Sequence, residues 1–284
     1  MIKKLIKITS IIFLLVFLLV FYLSFVGIKT EKFNEKITNR ILKINKNIKL
    51  DLKDIKFLIN PYNFTANITT KDPTILLGDD ELQIKNIKTN ISLKALIFDK
   101  FSLDELQIIT KPILLKDIIL LIRSFKNSPE LFLLDNIIKD GFLIADIKLK
   151  FDEKGNLKED YQINGFIKNA KFNLLNKLDG NNLNLNFDVN QNKYSLIDIN
   201  TEINDIKLSS PLIEVNKKKD IFFIKGKILT KKQKFSLDQL SMIFTSLSKH
   251  QKNLEKIRFS SENDISFNIS EKLKFKDLNI ESKI

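Results

Sequence analysis

An unbroken apolar segment lies near the N-terminal end of the sequence. Residues 11–28 carry no charged side chain, and Phe and Leu fall on every side of the helix that they would form. At about 1.5 Å per residue, such a helix is close to the roughly 30 Å thickness of a bilayer's hydrocarbon core. Because no side of the helix is polar, the pattern favours a membrane-spanning helix over a helix packed in a soluble core.

Charge orients this helix. Lys3, Lys4 and Lys7 precede it, and positive charge beside a first helix keeps that end in the cytoplasm. A cleaved signal peptide is the competing interpretation, but its apolar region is roughly 7–15 residues long and ends in a small-x-small cleavage site. Here the run is longer, and Val26 stands where a small residue is required. Residues 1–29 are therefore predicted to be a cytoplasmic stub and a retained anchor, with the remainder exported.

Behind the anchor the pattern changes from helical to extended. Apolar residues recur at helical spacing over residues 30–47, which predicts a short amphipathic helix. From residue 48 onward they mostly alternate with polar residues, which predicts β-strands with one apolar face. We divide this part into a first β segment, 48–135, with an inserted helix near 116–126, and a second, 136–284, with a helix near 236–254.

Several landmarks mark where elements begin and end. A one-residue slip in the alternation separates Ile84 from Ile87. Pro112 has no N–H to donate, so it predicts a strand end or a sheet edge. Ser236 and Gln239 have the spacing of a capping box, which predicts the start of the last helix.

An alternating strand must turn its apolar face toward something dry. A sandwich, a closed barrel and an open groove filled by lipid tails all meet this requirement, and alternation alone does not separate them. The chain has only 7 glycines, and short polar links join its strands, which favours a meander of hairpins over a tight barrel. The predicted fold class is mainly β with a few helices: a transmembrane helix followed by an antiparallel β-sheet.

The formal charge of +13 does not indicate a nucleic-acid partner. Only Arg40, Arg123 and Arg258 are arginines, and bidentate recognition of phosphate or guanine needs the guanidinium group. An export anchor also argues against nucleic acid. The lysine-rich stretches 217–219 and 225–234 fit contact with anionic lipid head groups, but solvated lysines that protect sheet edges are the favoured interpretation.

The residue inventory offers little for catalysis. There is no Cys, and His250 is the single histidine, which leaves few groups for general-base or nucleophilic chemistry near neutral pH. Motifs for phosphate loops, dinucleotides, zinc proteases and serine hydrolases do not occur, and the acidic cluster at 79–81 lacks the spacing of a calcium loop. We therefore predict no enzymatic activity, no metal site and no cofactor.

Several of these features together resemble the AsmA-like family of Gram-negative envelope proteins. They are the Lys-flanked anchor, strand residues 48–57 followed by Pro61, paired strands at 91–96 and 103–108 ending at Pro112, and the stretch from Gly141 through Asp152, Gly155, Leu157 and Tyr161 to Gly165. The resemblance covers most of the chain, which would be either the N-terminal portion of a longer family member or a short member of the family. It implies an elongated, curved antiparallel sheet forming a repeating β-groove, anchored once in the inner membrane with its C-terminal domain in the periplasm.

The resemblance also implies a function. It implies carriage of phospholipid toward the outer membrane, or a related role in outer-membrane biogenesis, with membrane phospholipid, the inner membrane and envelope proteins as partners. The family supplies no catalytic residues to transfer. Alternation then predicts the residues that line the groove: Ala145, Ile147, Leu149, Phe151, Ile163, Leu183, Leu185, Phe187, Val189, Ile197, Ile199, Phe222 and Ile224.

Three other functions stay open at this point. An anchored β-rich scaffold or interaction protein would use the same strands around a closed, dry core. An anchored hydrolase would need carboxylates gathered in one cleft. A lipopolysaccharide-export protein with one anchor and a short jelly roll is also compatible, although this chain is longer than expected for it and has two inserted helices.

Overall fold

The structure, a computed structural model, covers most of the chain. It describes residues 2–31, 34, 35, 38, 48–53, 55–77, 80–94, 103–125, 129–152, 158–174, 178–219, 221–236, 239, 256–270 and 274–284. The amphipathic helix predicted at 30–47 and the helix predicted near 236–254, with His250, lie mostly outside these residues.

The first element is an apolar helix, α1 (Ile2–Phe25), and a glycine, Gly27, follows two residues after its end. Within the described part of the chain it is the one helix long and apolar enough to cross a membrane, as predicted. The N–H groups of Val26 and Gly27 donate to the carbonyl of Tyr22 at 2.8 and 3.1 Å, and Gly27 adopts a φ of 74°. This is a left-handed C-cap, and strand β1 (Ile28–Thr30) follows at once.

The chain forms two compact units. Unit 1 contains Met1–Lys111 and Asp146–Tyr161, and unit 2 contains Pro112–Ala145 and Gln162–Ile284. The boundary differs from the predicted one at residue 135, because the inserted helical segment belongs to unit 2.

Unit 1 is an antiparallel sheet. Its strands are β1, β2 (Ile48–Asp51), β3 (Ile55–Asn60), β4 (Thr65–Lys71), β5 (Thr74–Leu77), β6 (Asp80–Ser92), β7 (Leu103–Thr110) and residues 146–150 of a later strand. The order is β1-β3-β4-β6-β7 and then residues 146–150, and β5 pairs with both β2 and β6 beside this path. A register shift between Ile84 and Asn86 interrupts β6, so the predicted slip there is confirmed.

Part of the apolar face of unit 1 is covered by the small β2–β5 pair. Leu50, Leu52 and Ile55 form a buried cluster, and Ile68 and Ile75 pack against it. Because these side chains come from both the main path and the added pair, unit 1 has a closed hydrophobic core at this point.

Unit 2 begins with a helical hairpin. Helix α2 (Leu115–Phe125) confirms the predicted inserted helix, whereas α3 (Pro129–Ile137) was not predicted. Arg123 of α2 pairs with Asp135 of α3, and its guanidinium lies 5.5 Å from the centroid of the Phe132 ring. An ion pair and a cation–π contact thus join the two helices.

The rest of unit 2 is a meander of long strands. They are β8 (Ile113–Leu114), β9 (Ile138–Lys150, whose last five residues belong to unit 1), β10 (Gln162–Leu174), β11 (Leu178–Asn190), β12 (Lys193–Ile203), β13 (Ile206–Lys218), β14 (Ile221–Ser236), β15 (Lys256–Ser270) and β16 (Phe275–Lys283). From β9 to β16 each strand pairs with the next, and β8 pairs with β9. The predicted fold class is confirmed: the protein is mainly β, with an N-terminal apolar helix followed by a large antiparallel sheet that is not closed.

One predicted strand end is confirmed, and the hydrogen bonds of the predicted capping box are present. Pro112 lies between β7 and β8, outside either strand. The N–H of Ser236 donates to Gln239 Oε1 at 2.9 Å, and the N–H of Gln239 donates to Ser236 Oγ at 3.2 Å. These reciprocal hydrogen bonds are those of a capping box.

Candidate functional site

Strand register sorts the side chains of unit 2 into two faces. Directly opposite residues of an antiparallel pair share a face, and successive residues along a strand alternate between faces. Following the register from β10 to β15 gives one continuous line of side chains, which we call row 1: Ile163, Val189, Tyr194, Val215, Ile224 and Phe267. Six neighbouring strands thus each contribute a large apolar or aromatic side chain to one line.

A second line runs beside the first on the same face. Row 2 consists of Gly165, Phe187, Leu196, Ile213, Gly226 and Ile265. A Cβ atom placed on Gly165 would lie 2.9 Å from Phe187 Cζ, and one on Gly226 would lie 2.8 Å from Ile213 Cγ1. The two glycines therefore let the larger side chain across from them lie close to the backbone. We call the face that holds both rows the apolar face of unit 2.

Bulges adjust the alternation on this face, and three of them contain a residue with positive φ. Asn169, Asn182 and Asp198 have φ values of 53°, 52° and 53°, and each lies at a register shift in β10, β11 or β12. A residue with positive φ that begins a bulge makes two residues oppose one on the neighbouring strand. The next residue in β11 and in β12, Leu183 and Ile199, returns to the apolar face.

Unit 2 brings together most of the predicted lining residues. Ile163, Leu183, Leu185, Phe187, Val189, Ile199, Phe222 and Ile224 lie on its apolar face, and Ala145 is buried beside Gly165. Ile147, Leu149 and Phe151 belong to unit 1, where Ile147 is opposite Ile108 and Leu149 is opposite Leu106.

Ile197 is not on the apolar face with the others. The register places it opposite Asn186 and Leu212, whereas its neighbour Leu196 is opposite Phe187. The reason is the bulge at Asp198, which inserts one residue between Ile197 and Ile199. Ile197 and Ile199 are two positions apart and would share a face in a regular strand, but here they lie on different faces.

Part of the lining was not predicted from the sequence. Tyr194, Leu196, Ile213, Val215, Ile265 and Phe267 complete the two rows. The signal was present, because Ile213 and Val215 flank Glu214 in the same apolar–polar–apolar pattern that identified Leu185 and Phe187.

Burial shows where this face is closed and where it is accessible. Phe235 is 1% exposed, and its ring stacks on Phe259 with centroids 4.2 Å apart, in a cluster with Ile206. All members of rows 1 and 2 are instead of intermediate exposure. On the same face, Leu185 and Ile199 are each 8% exposed. The apolar face is thus closed at the Phe235 cluster and at these two residues, and partly accessible along the two rows.

The opposite face of the same strands carries polar groups. Glu214 lies between Lys193 Nζ, at 2.5 Å, and Lys225 Nζ, at 2.9 Å, with 15% of its side chain exposed. The hydrogen bond from Lys193, followed by that from Lys225, lowers the pKa of Glu214 to about 2. This carboxylate therefore stays ionised and joins three strands on the face away from the rows.

The lysine-rich stretches are partly engaged with the sheet itself. Lys217 Nζ lies 5.4 Å from the centroid of the Phe222 ring, Lys218 Nζ lies 5.6 Å from that of Phe223, and Lys225 binds Glu214. These contacts are what solvated lysines on a sheet surface would make.

Comparison with known proteins adds no family to this description. No family model and no curated protein matches the chain. In the part of the chain that the structure describes, no group of three or more His, Cys, Asp or Glu side chains could hold a metal ion. The apolar face of unit 2 is therefore the candidate site, and its geometry carries the functional argument.

Proposed function

We propose that this protein is a membrane-anchored periplasmic protein of outer-membrane biogenesis that carries phospholipid acyl chains along the apolar face of unit 2, between the inner and outer membranes. Helix α1 holds it in the inner membrane, and Lys3, Lys4 and Lys7 keep the N-terminus in the cytoplasm. The observation that carries the proposal is the pair of rows: every position is apolar, aromatic or glycine, and every one is only half-buried.

The dimensions of the rows suit an acyl chain. Each row crosses six strands, and at about 4.8 Å between strands it extends about 24 Å. The acyl chains of one leaflet span about 15 Å, half of the roughly 30 Å hydrocarbon core. An acyl chain that leaves water for such a surface gains about 0.8 kcal/mol for each CH₂ group that it buries.

Photo-crosslinking at adjacent positions tests this proposal. A photoreactive amino acid replaces Phe187 or Val215 on the apolar face, and Asn186 or Asn216 serves as the matched control one residue away on the opposite face. We expect lipid adducts, identified by mass spectrometry of the full chain in vesicles, at Phe187 and Val215 but not at the two asparagines. Equal labelling on both faces, or none on either, would rule the proposal out.

An anchored scaffold is the second candidate, and one observation favours it. The apolar face of unit 1 is already covered by β2 and β5 around Leu50 and Ile55, which is the arrangement of a closed core. A scaffold with a dry core predicts that the full chain is purified without bound lipid, and that no crosslinker on either face captures lipid.

A further inference from the structure

The turn between β3 and β4 exposes two aromatic side chains. Tyr62 is 97% exposed and Phe64 is 61% exposed. The backbone around them is well hydrogen-bonded, because Asn60 Oδ1 accepts from the N–H groups of Tyr62 and Asn63 at 3.1 and 3.3 Å. The carbonyl of Phe64 accepts from the N–H of Leu93 at 2.8 Å. The turn therefore presents both rings to the surroundings from a fixed backbone.

Strand register places this turn beside the end of α1. Strand β1 leaves α1 directly and pairs antiparallel with β3, with Ile28 opposite Phe57. Because the two strands run in opposite directions, β3 returns toward α1. Three further residues, at about 3.3 Å each, carry β3 about 10 Å past Phe57 to Asn60. The turn starts at the next residue, Pro61.

The surface of α1 is consistent with this placement. The helix packs on β3, and Val20, Leu23 and Ser24 are less exposed than their neighbours. Together with Gly27 they have the spacing of one helix face. A Cβ atom on Gly27 would lie 2.5 Å from the carbonyl oxygen of Phe57, so the two backbones touch. At 1.5 Å per residue, the point about 10 Å back along the helix from Gly27 is near Val20. The end of β3, about 10 Å past Phe57, is therefore level with about Val20.

We propose that the β3–β4 turn is a second membrane contact, with Tyr62 and Phe64 lying in the head-group region of the same bilayer that α1 spans. The turn is level with the last two turns of α1, so its position in the head-group region places the membrane-embedded part of the helix between about Lys3 and Val20, about 27 Å, with the lysines near its start reaching back to the opposite interface. Tyr concentrates at this depth because its ring is apolar while its hydroxyl hydrogen-bonds with water, and the wholly apolar ring of Phe64 would lie toward the adjoining acyl chains. This inference goes beyond the proposed function, since it requires α1 to span the membrane but does not require lipid transport.

Tryptophan fluorescence tests the contact directly, because the chain contains no Trp. The full chain is reconstituted in phosphatidylcholine vesicles whose acyl chains carry bromine, a quencher, with one substitution at a time: Y62W, F64W or K71W. Lys71 is the matched control, since it is exposed, lies in the same unit and ends β4, about 20 Å from Thr65. A fourth variant, F13W, places the fluorophore within α1 and reports insertion of the helix.

We expect the emission of Y62W and F64W to lie at shorter wavelength than that of K71W and to be reduced in brominated vesicles, although less than that of F13W, which lies deeper. Emission from both turn variants that matches K71W, while F13W is quenched, would overturn the proposal and indicate a protein partner or water at the turn. An unquenched F13W would overturn it as well, because α1 would then not be inserted. Quenching at the turn without lipid capture at Phe187 would leave this contact standing and end the lipid-carrier proposal.

Discussion

The loss in the free energy of unfolding when a phenylalanine is replaced by alanine distinguishes an accessible apolar face from a closed core. Phe235 is 1% exposed and stacks on Phe259, so F235A removes an enclosed ring, and such truncations cost about 3–5 kcal/mol. Phe187 belongs to row 2 and is of intermediate exposure. F187A therefore loses most, but not all, of the roughly 1.5–3 kcal/mol gained by burying a whole ring, and it leaves no enclosed cavity. We expect it to cost about 1–2.5 kcal/mol.

Urea unfolding of the full chain in vesicles, followed by circular dichroism, measures both costs. With a slope of about 2 kcal/mol per molar urea, the midpoint should fall by about 1.5–2.5 M for F235A and by about 0.5–1.3 M for F187A. The neighbouring variant N186A, on the opposite face, should change stability by no more than about 0.5 kcal/mol. If F187A lost as much stability as F235A, Phe187 would have to be enclosed by a second layer, and the open-face reasoning would be refuted.

Two further predictions concern the same sheet. Because the folded-state pKa of Glu214 is about 2, below its ordinary value of 4.5, its interaction with the lysines stabilises the protein above pH 4.5 and is lost as the pH falls toward 2. The wild type should therefore lose its advantage over E214Q across that interval in unfolding midpoints, and a constant difference would contradict the assignment. A Cβ on Gly165 would lie 2.1 Å from the carbonyl oxygen of Ile144, so G165A should cost about 1–3 kcal/mol by overpacking, whereas N164A, its neighbour on the other face, should cost less. Calorimetric midpoints check this, and an unchanged midpoint for G165A would show that β9 and β10 are less tightly packed.

Strong periodic signals made the main elements predictable from the sequence. The uninterrupted apolar run specifies α1 because no polar residue interrupts it, and strict alternation at Leu183, Leu185 and Phe187 specifies one face of β11. Pro112 marks a strand end for a local covalent reason, the missing N–H. These features depend on residues that are neighbours in the sequence, and they can therefore be predicted from the sequence alone.

Features that depend on tertiary context were not predictable in the same way. Ile197 lies on the face opposite Ile199 because Asp198 adopts positive φ and begins a bulge, and nothing in its alternation announces this. Helix α3 carries Leu131, Phe132, Leu133 and Leu134 in succession, a run without helical period. The covering of Ile55 by β2 and β5 likewise depends on pairing between strands distant in the chain.

The junction at Gly27 has a mechanical consequence. The apolar part of α1 is close in length to a hydrocarbon core of about 30 Å, and in a thinner bilayer a helix of this length would be too long and would tilt. Only two residues, Val26 and Gly27, separate α1 from β1, and Gly27 is wedged against Phe57. A change in helix tilt is therefore transmitted to the edge of unit 1 instead of being absorbed by a linker, so bilayer thickness would set the angle at which the sheet leaves the membrane.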